Sequence, residues 1–232
     1  MGKRIITQRR GRGTSTYKVN KKSFRYKIQY PKSLSGEAKV VKIFNSSAHS
    51  SPLAKISNSE GSFYIPAFKG MFEGQKINFD ENKVSEGNIL KLKDIPFKTK
   101  VYCVESKPGD GGKFVKSAGN KATVNKEANG YIFIVMPSKK EKKFHPNCRA
   151  VIGIIAGAGR LDKPIVKAGK QFYIKKAKSK LWPRTSAVKM NAIDHPFGSG
   201  RAKNVKSKIA KRNAPPGRKV GLLRPRRTGK KK

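Results

Sequence analysis

Leu53-Ala54-Lys55-Ile56-Ser57-Asn58-Ser59-Glu60-Gly61-Ser62-Phe63-Tyr64-Ile65 holds two short apolar runs, 53–56 and 62–65, divided by Asn-Ser-Glu-Gly. Runs of four residues with β-branched and aromatic side chains, separated by turn formers, predict two strands and a tight connection. The same pattern extends outward to Val40-Val41-Lys42-Ile43-Phe44 on one side and Gln75-Lys76-Ile77-Asn78-Phe79 on the other. Lys69-Gly70 and Glu73-Gly74 supply turn chemistry before the last of these. Four such strands, with room for a fifth, predict a small barrel.

A second series follows: residues 100–104, 113–115, 122–124, 131–135 and 150–155. Pro108-Gly109-Asp110-Gly111-Gly112 and residues 125–130 read as the loop and hairpin connections. Glu, Gly and Asn interrupt the pattern at 84–88, which places a boundary there. Two compact β-barrels result, with no long helix before residue 165 and at most a short one at 175–180. The expected organisation is a basic extension over 1–35, a first barrel over 36–85, a second over 86–165, and a basic extension over 166–232.

Charge divides the chain along the same lines. Residues 1–35 carry eleven basic and no acidic side chains, and residues 166–232 carry twenty-two basic ones against Asp194 alone. Together these ends hold +32 of the formal +42. Such blocks repel themselves and need an anionic partner, and clustered Lys and Arg are the electrostatic footprint of nucleic-acid binding. A membrane surface fits less well, because Gly, Pro, Asn and Ser break the ends and no apolar face accompanies the charge. No apolar run approaches the length of a bilayer span. The amino end has no apolar signal stretch, which predicts an intracellular protein. Cys103 and Cys148 are isolated thiols, and His145 near Cys148 lacks two further ligands, so neither a disulfide framework nor a metal site is expected.

Three motifs invite a chemical reading. Pro108-Gly109-Asp110-Gly111-Gly112-Lys113 is glycine-rich, but it lacks the Gly-Lys-Ser/Thr ending and following helix of a phosphate-gripping loop. A β-turn whose glycines supply positive φ fits better, with backbone contact to RNA open to it. Gly153-Ile154-Ile155-Ala156-Gly157-Ala158-Gly159-Arg160 has dinucleotide-like spacing without the long helix and downstream acid. A loop that lets Arg160 approach a phosphate is the simpler reading. Asp194-His195 could orient a general base, yet Ser199 in Gly-Ser-Gly is a poor nucleophile and no oxyanion stabiliser is evident. A structural turn is preferred, and an imidazole contact to RNA is a third option. Tyr17, Phe24, Tyr26, Tyr30, Phe172, Tyr173, Trp182 and Phe197 interleave with the basic ends, where they can stack on bases or pack onto the barrels.

The segment from Asn191 to Arg201, Asn-Ala-Ile-Asp-His-Pro-Phe-Gly-Ser-Gly-Arg, resembles the Asn-x-Val-Asp-His-Pro-His-Gly-Gly-Gly motif of the universal large-ribosomal-subunit protein two family. Further similar segments include Gln8-Arg9-Arg10-Gly11-Arg12-Gly13, Pro108 to Phe114, Cys148-Arg149-Ala150, Ala156 to Arg160, Lys167-Ala168-Gly169-Lys170, Trp182-Pro183-Arg184 and Ala214 to Gly221. Their form is that of the archaeal and eukaryotic branch. The resemblance implies an OB-fold barrel followed by an SH3-like barrel, with long basic irregular extensions threading large-subunit rRNA. It implies a non-enzymatic structural role in subunit assembly and association, tRNA placement and the architecture around the peptidyl transferase centre, on cytoplasmic ribosomes. The implied partners are large-subunit rRNA and neighbouring ribosomal proteins, with indirect tRNA and small-subunit contact, no membrane, and no cofactor or metal.

The residues expected to contact rRNA are Arg9, Arg10, Arg12, Lys113, Arg149, Arg160, Lys170, Trp182, Arg184, Asn191, Asp194, His195, Arg201, Arg218 and Lys219. This chain departs from the family at three positions. Phe197 replaces a second histidine, Ser199 replaces the middle glycine, and His49 stands where an RNA-contacting arginine is common.

Overall fold

A computed structural model describes residues 2–79, 84–199 and 212–221. The chain divides into two compact units, Lys21–Lys167 and the combination of Met1–Asn20 with Ala168–Lys232.

The Lys21–Lys167 unit is mainly β. Its first sheet contains β1 (Glu37–Phe44), β2 (Leu53–Asn58), β3 (Gly61–Pro66) and β4 (Lys76–Asn78) in the order β3-β2-β1-β4, all pairs antiparallel. The 53–65 segment is the hairpin expected, with Asn58 opposite Gly61 across the turn. The second sheet contains β5 (Ile89–Lys91), β6 (Lys100–Tyr102), β7 (Ala122–Ala128), β8 (Tyr131–Val135), β9 (Glu141–Phe144) and β10 (Arg149–Ile152), in the order β5-β10-β6-β7-β8-β9. Two antiparallel sheets with few helices match the expected pairing of an OB fold with an SH3-like barrel.

Strand alternation explains how the two sheets share a unit. Ile89, Tyr102 and Val151 face one core with Tyr30, Ile56, Phe63, Ile65 and Ile77. Their immediate neighbours Leu90, Val101, Ala150 and Ile152 face a second core with Val124, Ile132, Ile134 and Phe144. Successive side chains on a strand point to opposite faces, so strands covered on both sides read as continuous apolar runs. Tyr30 and Leu34 belong to the first core although the charge pattern assigns them to an extension.

Several expected elements differ from those observed. Residues 113–115 form no strand; Phe114 makes an isolated bridge to Val104, because Cys103 (φ +48) and Val115 (φ +54) turn the backbone out of the extended region. The expected 125–130 loop is mostly strand: β7 runs to Ala128 past a bulge between Val124 and Lys126, and only Asn129-Gly130 turns. The 150–155 run stops at Ile152, where Gly153 adopts φ +124. The apolar pattern does not predict β5 or β9; β9 is charged except at Phe144, as suits an edge strand.

In the other unit, α1 (Ile6–Arg9) leads into a short 3-10 turn over Arg10–Arg12. The expected short helix near 175–180 lies earlier, as α2 (Ala168–Ala177), and Ser179 at φ +50 closes it with Lys180 N–H donating to the Lys175 carbonyl at 2.9 Å. Among the described residues, no helix is long and apolar enough to cross a membrane.

Candidate nucleic-acid interface

The 190–199 segment is a compact turn built by its own backbone. The Asn191 carbonyl accepts the Asp194 and His195 amides at 3.0 and 3.2 Å, and the Met190 carbonyl accepts the Ser199 amide at 3.1 Å. Gly198 is buried inside, with a Cβ there running into the Asn191 carbonyl. Phe197 N–H donates to His195 Nδ1 at 3.0 Å, and the two rings meet edge to face at 5.2 Å. An Nδ1 that accepts belongs to a neutral ring with its proton on Nε2. Burial reinforces this by lowering the His195 pKa from 6.5.

This geometry bears on the acid-base reading. A carboxylate that orients a general base accepts from Nδ1–H, and here Nδ1 is itself an acceptor. Asp194 instead lies 4.0 Å from the Lys3 ammonium, while Lys3 N–H donates to the Ile193 carbonyl at 2.7 Å. The amino end therefore packs on the histidine turn, and a side chain at Gly2 would sit 3.1 Å from the Ile193 carbonyl oxygen. Nothing in either segment read alone signals this pairing.

His195 lines two open cavities in this unit. One, of about 430 Å³, also presents Ile5, Arg184, Ser186 and Met190. The other, of about 690 Å³, presents Lys3, Arg4, Gln8, Pro215 and Arg218. Arg184 and Arg218 thus each line a cavity with His195, and Asn191 and Asp194 lie in the same turn as the histidine. Arg9, Arg10 and Arg12 are exposed on the first helical turns, Lys170 is exposed on α2, and Lys219 is exposed next to Arg218. Trp182 is half-buried before Pro183. Arg201 lies outside the described residues.

The remaining expected contacts belong to the Lys21–Lys167 unit. Exposed Arg160 sits in a 3-10 turn over Ala158–Leu161, and exposed Lys113 leaves the glycine-rich loop. Amides of that loop are bonded to the chain's own carboxylates, which does not suit an anion cradle. Asp110 accepts from Ser106, Lys107 and Gly112 N–H at 3.0, 3.3 and 3.1 Å, and buried Glu105 accepts from Gly111 N–H at 3.1 Å. Glu105 also accepts the Arg149 amide at 2.8 Å, while the Arg149 guanidinium donates to the Lys32 carbonyl. Glu105 is thus a structural acid that composition alone did not mark out.

Other groups are turned inward as well. His49 Nδ1 bonds the Ser46 hydroxyl at 2.9 Å and its ring meets Phe24 edge-on at 5.8 Å. Lys116 donates to the Ile28 carbonyl at 2.9 Å, and burial lowers its pKa. Cys103 and Cys148 are both free and buried, with burial pushing the Cys103 thiol up to about 12. Among the described residues, no group of His, Cys, Asp and Glu could hold a metal ion.

The family model for Ribosomal Proteins L2, C-terminal domain, matches residues 85–217. The large ribosomal subunit protein uL2 of Archaeoglobus fulgidus is 47% identical over 236 residues, covering 99% of each chain. The chain belongs to the uL2 family. The uL2 of Methanococcoides burtonii is 41% identical over 239 residues, covering all of both chains, and the similarity is of archaeal type.

Proposed function

We propose that this uL2-family chain is a structural constituent of the large ribosomal subunit that binds large-subunit rRNA. The observation that carries the proposal is charge: 55 Lys and Arg face 13 Asp and Glu, so even complete pairing leaves 42 cations without an internal carboxylate. Arg9, Arg10, Arg12, Lys113, Arg160, Lys170, Arg184, Arg218 and Lys219 are among those exposed. Fixed cations relieve phosphate repulsion where RNA helices pack, and the released counterions drive binding. Neighbouring ribosomal proteins, indirect contact with tRNA and the small subunit, and a cytoplasmic ribosomal location follow from the same reading.

Within it, Arg149, Trp182, Asn191, Asp194, His195 and the cations above serve as rRNA contacts, with Arg201 among them. Subunit assembly, subunit association and support of the peptidyl transferase centre are the proposed roles, none of them enzymatic. The neutral His195 ring, with Nδ1 engaged, supports a role as a donor through Nε2.

The full chain and a variant with Arg9, Arg10 and Arg12 changed to Gln should be compared on large-subunit rRNA across salt. The slope of log affinity against log salt should fall by about 2 to 3 in the variant. Equal slopes would count against phosphate contact by this end. Large subunits carrying His195→Gln should retain peptide-bond formation; its loss with structure and tRNA binding intact would refute the non-enzymatic role.

A further inference from the structure

The outer face of β7, β8 and β9 has a composition that packing does not require. Ile132 and Ile134 point inward and are buried, leaving Tyr131 and Phe133 on the opposite face. Register places Lys126 opposite Phe133 on one side and Lys143 opposite it on the other, so three strands present a Lys-Phe-Lys row. The Lys126 ammonium lies 5.6 Å from the Phe133 ring centroid, and that of Lys143 lies 5.1 Å from the Tyr131 centroid. Tyr131 is 41% exposed, and β9 is the sheet edge.

The surrounding charge is one-sided. Residues 121–143 contain Lys121, Lys126, Lys139, Lys140, Lys142 and Lys143 against Glu127 and Glu141. Of the two acids, Glu141 is engaged by the Asn125 side-chain amide at 2.6 Å. Lysines flanking an exposed ring supply both elements of single-strand recognition: cations that follow a backbone and an aromatic face on which a base stacks. An acidic peptide would satisfy the lysines and leave the tyrosine without a role.

We infer that this face docks an unpaired RNA segment, with Tyr131 and Phe133 taking bases and Lys126 and Lys143 the adjoining phosphates. The inference rests on the RNA-binding reading above and adds a site outside both basic ends and outside the histidine turn.

The full-length protein bound to a large-subunit rRNA transcript should be irradiated with ultraviolet light and its crosslinked peptides mapped by mass spectrometry. A nucleotide attached to Tyr131 or Phe133 is expected, and Tyr131→Leu should weaken binding roughly tenfold without changing the salt slope. The pair Lys126→Gln and Lys143→Gln, surface changes that spare the core, should lower the slope by about 1.4. Crosslinks confined to the basic ends, with the double variant leaving the slope unchanged, would overturn the inference and leave RNA binding standing. Absence of salt-dependent RNA binding by the unaltered chain would overturn both. Release of the hairpin crosslink by a polyglutamate competitor that spares the crosslinks at the ends would assign the face to an acidic protein segment and overturn the inference.

Discussion

Glu105 and Arg149 are joined twice: Glu105 N–H donates to the Arg149 carbonyl at 3.0 Å, and Arg149 N–H donates to the Glu105 carboxylate at 2.8 Å. The same carboxylate holds Gly111, so one buried acid fixes both the glycine-rich loop and the start of β10. A buried donor left without a partner costs about 1 to 3 kcal/mol. Glu105→Leu, which orphans two, should lower the unfolding free energy by about 2 to 6 kcal/mol. Glu105→Gln, whose amide can accept from only one of the two and turns its NH2 toward the other, should lose about half as much. Denaturant unfolding of the full chain measures both, and equal losses would show that the hydrogen bonds are not the cause.

Tyr30 closes the same junction from the other side. Its buried hydroxyl reaches the Cys103 and Arg149 carbonyls, each at 3.1 Å, and burial followed by the Glu105 charge pushes its pKa well above 10. The group stays a donor across ordinary pH. Tyr30→Phe, which keeps the ring packing, should destabilise by about 1 to 3 kcal/mol. No change in the unfolding midpoint would mean that the two carbonyls find other donors.

The histidine turn should respond to acid. Burial holds the folded pKa of His195 below 6.5, so between that value and 6.5 the unfolded chain binds more protons. Stability from this site therefore rises with pH through that window and is lost as pH falls through it. Protonation at Nδ1 also removes the acceptor for Phe197 N–H. Nitrogen-15 spectra at pH 7 should show a bare Nδ1 and a protonated Nε2. Phe197 amide protection should fall with the imidazole titration; a midpoint above 6.5 would contradict the geometry.

Two neighbouring substitutions in that turn should have opposite signs. Gly198→Ala forces a methyl group against the Asn191 carbonyl and should open the turn, at a cost of about 2 kcal/mol. Ser199 adopts φ +83, a conformation natural to glycine, where the family motif places glycine. Ser199→Gly should stabilise the turn by about 1 kcal/mol. Amide exchange at Ser199, which donates to Met190, distinguishes them; slower exchange in Gly198→Ala would contradict this packing.

Strand periodicity, turn residues and charge are local quantities, and they sufficed for two β series flanked by polycations. The hairpin at 53–65 was legible because its apolar runs, turn and register all lie within thirteen adjacent residues. β9 was not, because Glu-Lys-Lys-Phe becomes a strand only through its pairing with β8. The Asp194-His195 motif was visible, but its chemistry depended on which atom meets Nδ1.

Composition and strand alternation by themselves determined two β series between basic ends, because charge balance and periodicity need no partner distant in sequence, while the resemblance to the family rested on motifs such as Asn191 to Arg201. Only the tertiary structure decided that Glu105 serves the loop, that Tyr30 belongs to the core, and that Lys3 lies beside Asp194. Those assignments join groups separated by up to 191 residues along the chain. Their hydrogen-bond and packing energies exist only once folding brings the atoms within about 4 Å.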